Sequence, residues 1–246
     1  MSTKRSVLVS GATGQQGGAV ARALLARGHR VKALTRKPDS DAARQLMSAG
    51  ADLVIGDLGD AASVLKAASG VGTMFLMGNS YEAGTEEETR QGIIAAEAAK
   101  SAGVGHLIYS SVADANKKTG IPHFESKYLV EKHVAGLGLP YTISAPVAFM
   151  ENIVAQWSIG ALRQGTQAFA MPPKRVLQLV AWQTSGPSSR LWLSSASRCS
   201  ASVSISPGTS YPARSRRKFS RTPSAARSTI RKSQSPRLAS KARMWR

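Results

Sequence analysis

Residues 7–18 read Val7-Leu8-Val9-Ser10-Gly11-Ala12-Thr13-Gly14-Gln15-Gln16-Gly17-Gly18. The aliphatic run Val7 to Val9 suits a buried strand, the glycines suit a tight turn, and the alanine-rich stretch Ala19 to Leu25 suits a helix. Strand, glycine turn and helix in that order set a helix N-terminus against a pyrophosphate. Gly11 permits the turn, Gly14 lets the backbone approach phosphate, and Gly17 lets the helix pack close to the strand. The correct flanks and the strand pattern that follows favour a dinucleotide site over a ligand-free glycine turn.

Outward from this stretch, strand and helix patterns alternate. Strands are expected at Arg30 to Leu34, Asp52 to Ile55, Thr73 to Met77, His106 to Tyr109 and Tyr141 to Ser144. Helices are expected at Asp41 to Ala49, Asp60 to Ala68, Thr85 to Ala102 and Glu125 to Ala135. Thr85 is read as the N-cap of the long helix, with Glu86, Glu87 and Glu88 in its first turn favoured by the helix dipole. Regular βα alternation predicts an α/β fold, a doubly wound parallel sheet of Rossmann type with helices on both faces. Ligands of such sheets bind beyond the carboxyl ends of the strands, where Gly11 to Gly17, Arg36, Asp57, Met77 and Ser110 would all fall.

Charge divides the chain. The net charge of +19 over 246 residues suggests a nucleic-acid binder. Its distribution argues otherwise: residues 182–246 hold 14 Lys or Arg and 18 Ser with no Asp or Glu, whereas residues 1–181 carry 19 basic and 14 acidic side chains. The body is thus an ordinary domain with a balance of +5. Three regions are expected: a nucleotide-binding domain over 1–150, the start of a substrate lobe over 151–181, and an aberrant tail over 182–246. The single cysteine, Cys199, leaves the body without a disulfide or a thiolate metal site, and the histidines show no ligand spacing, so no metal is expected. No secretory signal and no apolar run of membrane-spanning length are evident, which predicts a cytoplasmic protein with no membrane partner.

At the end of the second strand, where NAD-preferring sites carry an acid, stand Thr35, Arg36 and Lys37. Arg36 can grip a 2′-phosphate through a charge-assisted fork, so NADP is expected in preference to NAD. A solvated basic strand end is the competing reading. Asp57 is a candidate for the adenine region or a turn aspartate before Gly59. Ordinary short-chain dehydrogenases place a Ser after the fifth strand and Tyr-x-x-x-Lys on the next helix, the lysine holding ribose and lowering the tyrosine pKa. Here Ser110 and Ser111 are followed by His123-Phe124-Glu125-Ser126-Lys127. The lysine position holds Lys127 and the tyrosine position holds His123, while Tyr128 is turned about 100° from the lysine on a helix. Lys127 is expected on the ribose or, alternatively, as a surface lysine paired with Glu131. His123 is either a proton donor near neutral pH or a histidine without chemistry.

Several segments carry a specific resemblance. They are Gly11 to Gly18, Ala33-Leu34-Thr35-Arg36, Gly56-Asp57-Leu58, Tyr109-Ser110-Ser111-Val112, Gly120 to Lys127, and Pro146-Val147-Ala148-Phe149-Met150-Glu151-Asn152. Together they resemble the NmrA-like family of atypical short-chain dehydrogenases from about residue 5 to residue 181. That resemblance implies NAD(P) binding, often without the catalytic tyrosine, in a family that includes both NADPH-dependent reductases and redox-sensing regulators. It assigns Gly11, Thr13, Gly14, Gln15, Gln16, Gly17, Arg36, Asp57, Met77, Lys127, Pro146 and Phe149 to the cofactor. Phe149, Met150 and Asn152 would begin the substrate pocket, and Lys127 and His123 would be the catalytic candidates. The implied partner is a small substrate, such as a quinone or carbonyl compound, or a redox partner.

After Ala181 the resemblance stops. A Ser-, Arg- and Pro-rich composition buries too little apolar surface to order a chain, which predicts an incomplete substrate lobe and a disordered tail. A shifted reading frame explains the change. Codons permitted for Trp182 to Ser194, read two bases later, give Ala-Asp-Ile-Gly-Ala-Phe-Val-Ala-Leu-Val-Val-Glu, an amphipathic segment with its acids restored. The rival view is a functional tail whose basic clusters bind nucleic acid unspecifically through phosphates.

Overall fold

The computed structural model describes residues 5–166, 176–184, 201–205 and 209–212. Ser6–Val9 (β1), Arg30–Thr35 (β2), Asp52–Ile55 (β3), Thr73–Met77 (β4), His106–Ser110 (β5) and Tyr141–Ala145 (β6) build a parallel sheet in the order β3-β2-β1-β4-β5-β6. The chain winds outward from β1 through β2 and β3, then returns to the middle and winds the other way from β4. The two halves diverge between β1 and β4, where a doubly wound sheet opens its ligand crevice.

Gln15–Leu25 (α1) and Asp41–Ser48 (α2) cover one face of the sheet. There Val20, Ala21, Leu24 and Leu46 pack on Val7, Val9, Val31, Phe75 and Ile108. Ala61–Ala68 (α3), Thr85–Ser101 (α5) and Pro122–Gly136 (α6) cover the other. There Val64, Ala95, Ala99, Val130 and Val134 pack on Leu8, Met74, Leu76, Leu107, Tyr109 and Ile143. Successive residues of β4 and β5 therefore serve opposite cores, and their continuous apolar runs follow from burial on both sides.

The expected strands and helices of the body are present, with shifts at their ends. Asp60 caps α3 through its side chain, accepting from Ala62 N at 3.0 Å. Thr85 is not a cap: α5 starts at that residue, and Gly84, at φ +90°, occupies the cap position without a side-chain bond. A bulky side chain is disfavoured at that φ. The helix expected from Glu125 begins earlier, at Pro122, whose preset φ suits a first turn. One short helix escaped the pattern, Ser80–Ala83 (α4), capped by Asn79.

Ala148–Phe149 (β7), Gln156–Arg163 (α7) and Val176–Val180 (β8) follow the doubly wound part of the chain, and β7 pairs in parallel with β8. Within the tail, Ala201–Ile205 (β9) lies parallel to β6 as a seventh strand, and Thr209–Pro212 (β10) lies antiparallel to β8. Ala201, Val203 and Ile205 alternate with Ser202 and Ser204, a period-two pattern that a reading by composition alone passes over. The remaining residues of the tail, with Cys199 and all 14 of its Lys and Arg, lie outside the described residues.

Candidate functional site

At the C-terminal end of β1 the chain turns sharply at Gly11, at φ +60°. A Cβ there would lie 2.8 Å from Met77 Sδ, so the turn also depends on the close approach of β4's last residue. At Gly17 a Cβ would lie 2.3 Å from the Gly11 carbonyl oxygen, so α1 can leave the turn this tightly only through glycine. Gly14 caps α1, and no side chain bonds to that end of the helix. Gly11, Gly14 and Gln15 are exposed, whereas Gln16 is buried. A helix N-terminus presented by glycines and left without a side-chain cap is a cradle for an anion. The residues present therefore fit a dinucleotide pyrophosphate.

The crevice is braced from beneath. Ser10 Oγ accepts from Met77 N at 2.8 Å and donates to Met77 O at 3.2 Å, tying β1 to β4 where they diverge. Gln16 turns inward, donating through Nε2 to Ser110 Oγ at 2.9 Å and accepting through Oε1 from the same hydroxyl at 3.1 Å. Its side chain thus fastens the start of α1 to the end of β5. Thr13, half-buried, stands in the turn between Gly11 and Gly14.

Arg36, just past β2, reaches two carboxylates. Its Nη2 lies 2.6 Å from Glu82 Oε2 on α4, and its Nη1 lies 3.8 Å from Asp57 Oδ2. All three side chains are about half exposed. Asp57 also performs the turn role, accepting from Gly59 N at 2.7 Å through Oδ1. Glu82 was not anticipated, because the short helix that carries it has no periodic signal.

Lys127 is on α6, and its partner comes from α5. The Lys127 side chain is only 15% exposed, and its Nζ lies 2.9 Å from Glu88 Oε1. The expected alternative, a surface lysine paired with Glu131, is thereby corrected: the ion-pair partner is Glu88. Ser126 Oγ donates to Glu88 Oε2 at 2.6 Å. Sequence reasoning placed Glu88 among first-turn acids, yet it is 2% exposed. The overlooked signal is its face: Glu88 is followed by Gly92, Ala95, Ala96 and Ala99 at helical spacing, all buried.

His123, in the tyrosine position, is buried and packs edge-on against Phe124 at 4.8 Å. Burial, with Lys127 nearby as a second cause, lowers its pKa, so the ring is neutral at neutral pH. Tyr128 faces elsewhere, under the Lys132 ammonium at 5.2 Å. Pro146 is buried at the end of β6, and its carbonyl accepts from Ala113 N at 2.9 Å. Phe149 packs against Trp182 at 5.7 Å, while Glu151 accepts from Trp182 N at 3.1 and 3.2 Å. Of the proposed pocket residues, Met150 is exposed and Asn152 is half-buried. Among the described residues no cluster of His, Cys, Asp and Glu could hold a metal ion, and no helix is long and apolar enough to cross a membrane.

The model of the NmrA-like family matches residues 3–185. An NmrA-like family domain-containing oxidoreductase, FrzB of Cladobotryum sp, is 36% identical over 162 residues, covering 61% of this chain and 48% of its own. A second, notA of Aspergillus sp. (strain MF297-2), is 40% identical over 147 residues, 55% of this chain and 43% of its own. The chain thus spans about half the length of these relatives. Among solved structures, NmrA, a negative transcriptional regulator, in complex with NADP superposes with a TM-score of 0.75 at 22% identity, over 86% of this chain and 69% of that one. The NADPH-dependent quinone oxidoreductase QOR2 of Escherichia coli, complexed with NADPH, superposes with a TM-score of 0.70 at 23% identity, over 84% of this chain and 71% of that one. At those identities the superpositions speak for the fold.

Proposed function

The chain belongs to the NmrA-like family, and from that premise we propose that it binds NADP(H) and reduces a quinone or small carbonyl compound. The observation that carries the proposal is the uncapped N-terminus of α1 behind the Gly11–Gly17 turn, with Arg36 just past β2 and the buried Lys127 on α6. Relatives named as oxidoreductases and neighbours solved with NADP or NADPH support it.

In this reading the backbone N–H groups at Gly14 to Gln16 hold the pyrophosphate, and Arg36 meets the 2′-phosphate. Lys127, kept in place by Glu88, donates to the nicotinamide ribose. Bound reduced nicotinamide supplies the hydride. Met77 and Pro146 form apolar walls of the crevice, and Phe149 closes its substrate side. The neutral ring of His123 could donate a proton only by becoming an imidazolate, which is far too basic. We therefore assign the proton delivered to substrate to water.

A second reading, a redox sensor without turnover, is favoured by the same buried, neutral His123 in place of a tyrosine. Contacts of the basic tail with nucleic acid, in either reading, are proposed to be unspecific and salt-sensitive. Calorimetric titration with NADPH and NADH, followed by steady-state NADPH oxidation over a panel of quinones and aldehydes, tests the proposal. Binding with turnover supports the enzyme and binding without turnover supports the sensor. Absence of heat with every pyridine nucleotide, from a chain that circular dichroism shows to be folded, overturns both.

A further inference from the structure

Glu88 is a carboxylate almost without water, its side chain 1% exposed. Two neighbours face it at hydrogen-bond distance: Lys127 Nζ at 2.9 Å on Oε1 and Ser126 Oγ at 2.6 Å on Oε2. Helix packing builds the arrangement. One turn along α5, a Cβ on Gly92 would lie 2.7 Å from Val130 Cγ2, so α5 and α6 meet closely only because that residue is glycine. Glu88 precedes Gly92 by four residues and Ser126 precedes Val130 by four, so the same contact one turn earlier sets Glu88 on Ser126. Above it, a Cβ on Gly78 would lie 2.9 Å from Glu88 Cγ, so the chain leaving β4 lies directly over the carboxylate arm. The Tyr109 phenol is buried nearby, its pKa raised well above the usual value by burial first and by the Glu88 charge second.

Burying a carboxylate and an ammonium together is a poor route to stability, because desolvation offsets their attraction and a well-packed apolar pair does as well or better. Packing therefore leaves Glu88 unexplained. We propose that Glu88 is the positioning residue of Lys127 and the counter-charge that keeps the nicotinamide end of the crevice near neutrality. The inference rests on the assignment of Lys127 to the nicotinamide ribose. An isolated ammonium there would repel the cationic ring of an oxidised cofactor and spare the neutral ring of a reduced one. With Glu88 ionised beside it, Lys127 still donates its hydrogen bonds and the penalty on the oxidised form is removed. Ser126 orients the carboxylate and contributes no charge.

The readout is the ratio of dissociation constants, Kd for NADP+ over Kd for NADPH, measured by calorimetry on the full chain. Glu88→Gln keeps the size and a hydrogen-bonding group while deleting the charge. It should raise the ratio about tenfold, the effect of one charge over roughly 10 Å at an effective dielectric of about 20. Lys127→Gln keeps an N–H for Glu88 and deletes the opposite charge, so it should lower the ratio. Ser126→Ala should leave it within about twofold. Equal weakening of both nucleotides by Glu88→Gln means a packing role and overturns the inference. Should Glu88→Gln not fold, an unchanged ratio in Lys127→Gln overturns it instead. If the unaltered chain binds neither nucleotide, the cofactor reading falls first; if it binds both and no variant moves the ratio, only the role of Glu88 falls.

Discussion

Replacing Glu82 by Gln should tighten NADPH and leave NADH alone. Arg36 Nη2 lies 2.6 Å from Glu82 Oε2, with Asp57 farther off at 3.8 Å. A 2′-phosphate seated on Arg36 must compete with the Glu82 carboxylate for the same guanidinium. The side chains of Arg36 and Glu82 are 54% and 56% exposed, so solvent screens the pair, and its worth is about 0.2–1 kcal/mol. Repulsion between Glu82 and the incoming phosphate, across similar solvent, adds a cost of the same order. Removing the carboxylate should therefore strengthen NADPH binding by about two- to tenfold. A charge-assisted bond from arginine to phosphate is worth about 1.5–3 kcal/mol, so Arg36→Ser should weaken NADPH by roughly ten- to a hundredfold. The assay is calorimetry with each nucleotide at low salt, repeated at high salt, where the Glu82 effect should shrink. The reasoning is refuted if Glu82→Gln tightens NADH as much as NADPH, or if Arg36→Ser weakens both equally. Either result would make Arg36 a solvated strand end, with discrimination placed elsewhere.

Two further outcomes concern the folded body. The Tyr109 hydroxyl is fully buried and has no hydrogen-bond partner among the described residues, so Tyr109→Phe should relieve an unpaired polar group worth about 1–3 kcal/mol and raise the melting temperature by roughly 2–8 °C; a lower melting temperature would show that the hydroxyl is satisfied after all. His29, His106 and His123 all have pKa values lowered, in each case chiefly by burial. Below their ordinary range the unfolded chain then binds more protons than the native one, so stability is complete above about pH 6.5 and is lost as pH falls through the native values. Glu131, whose carboxyl burial raises, acts in the opposite sense at more acidic pH. Thermal melts between neutral and mildly acidic pH should show a falling midpoint, with a shallower fall in His106→Asn, and a flat profile would contradict the burial of these rings.

The parallel sheet and its flanking helices were legible because their signals are local. Three glycines spaced for the turn, apolar runs of strand length and acidic or alanine-rich helices each report their own conformation, and the order of elements then leaves few topologies. The strand limits at Thr73–Met77 and Asp52–Ile55 agree to the residue. Legibility fell where conformation is decided elsewhere. Gly84 displaced Thr85 from the cap because the chain arriving from α4 needs a positive φ, and nothing within α5 encodes that. The inward turn of the Gln16 amide could not be read from its own segment, because its partner Ser110 stands 94 residues away.

The site residues divide along the same line. Arg36 and Lys127 could be named from spacing, whereas the carboxylates that govern them could not. Glu82 is on a helix of four residues, too short to show a period. Glu88 looked like one of three interchangeable acids favoured by a helix dipole, yet Glu86 is exposed, Glu87 pairs with Arg90 at 2.6 Å, and only Glu88 faces the core. What separates them is their phase relative to Gly92 and the alanines behind it. A charge in phase with a stripe of small buried residues is committed to the interior, where it must find a partner. Here the partner is the lysine that the His123–Lys127 segment had already marked, so the residue that sequence reasoning missed and the one it found are two ends of a single interaction.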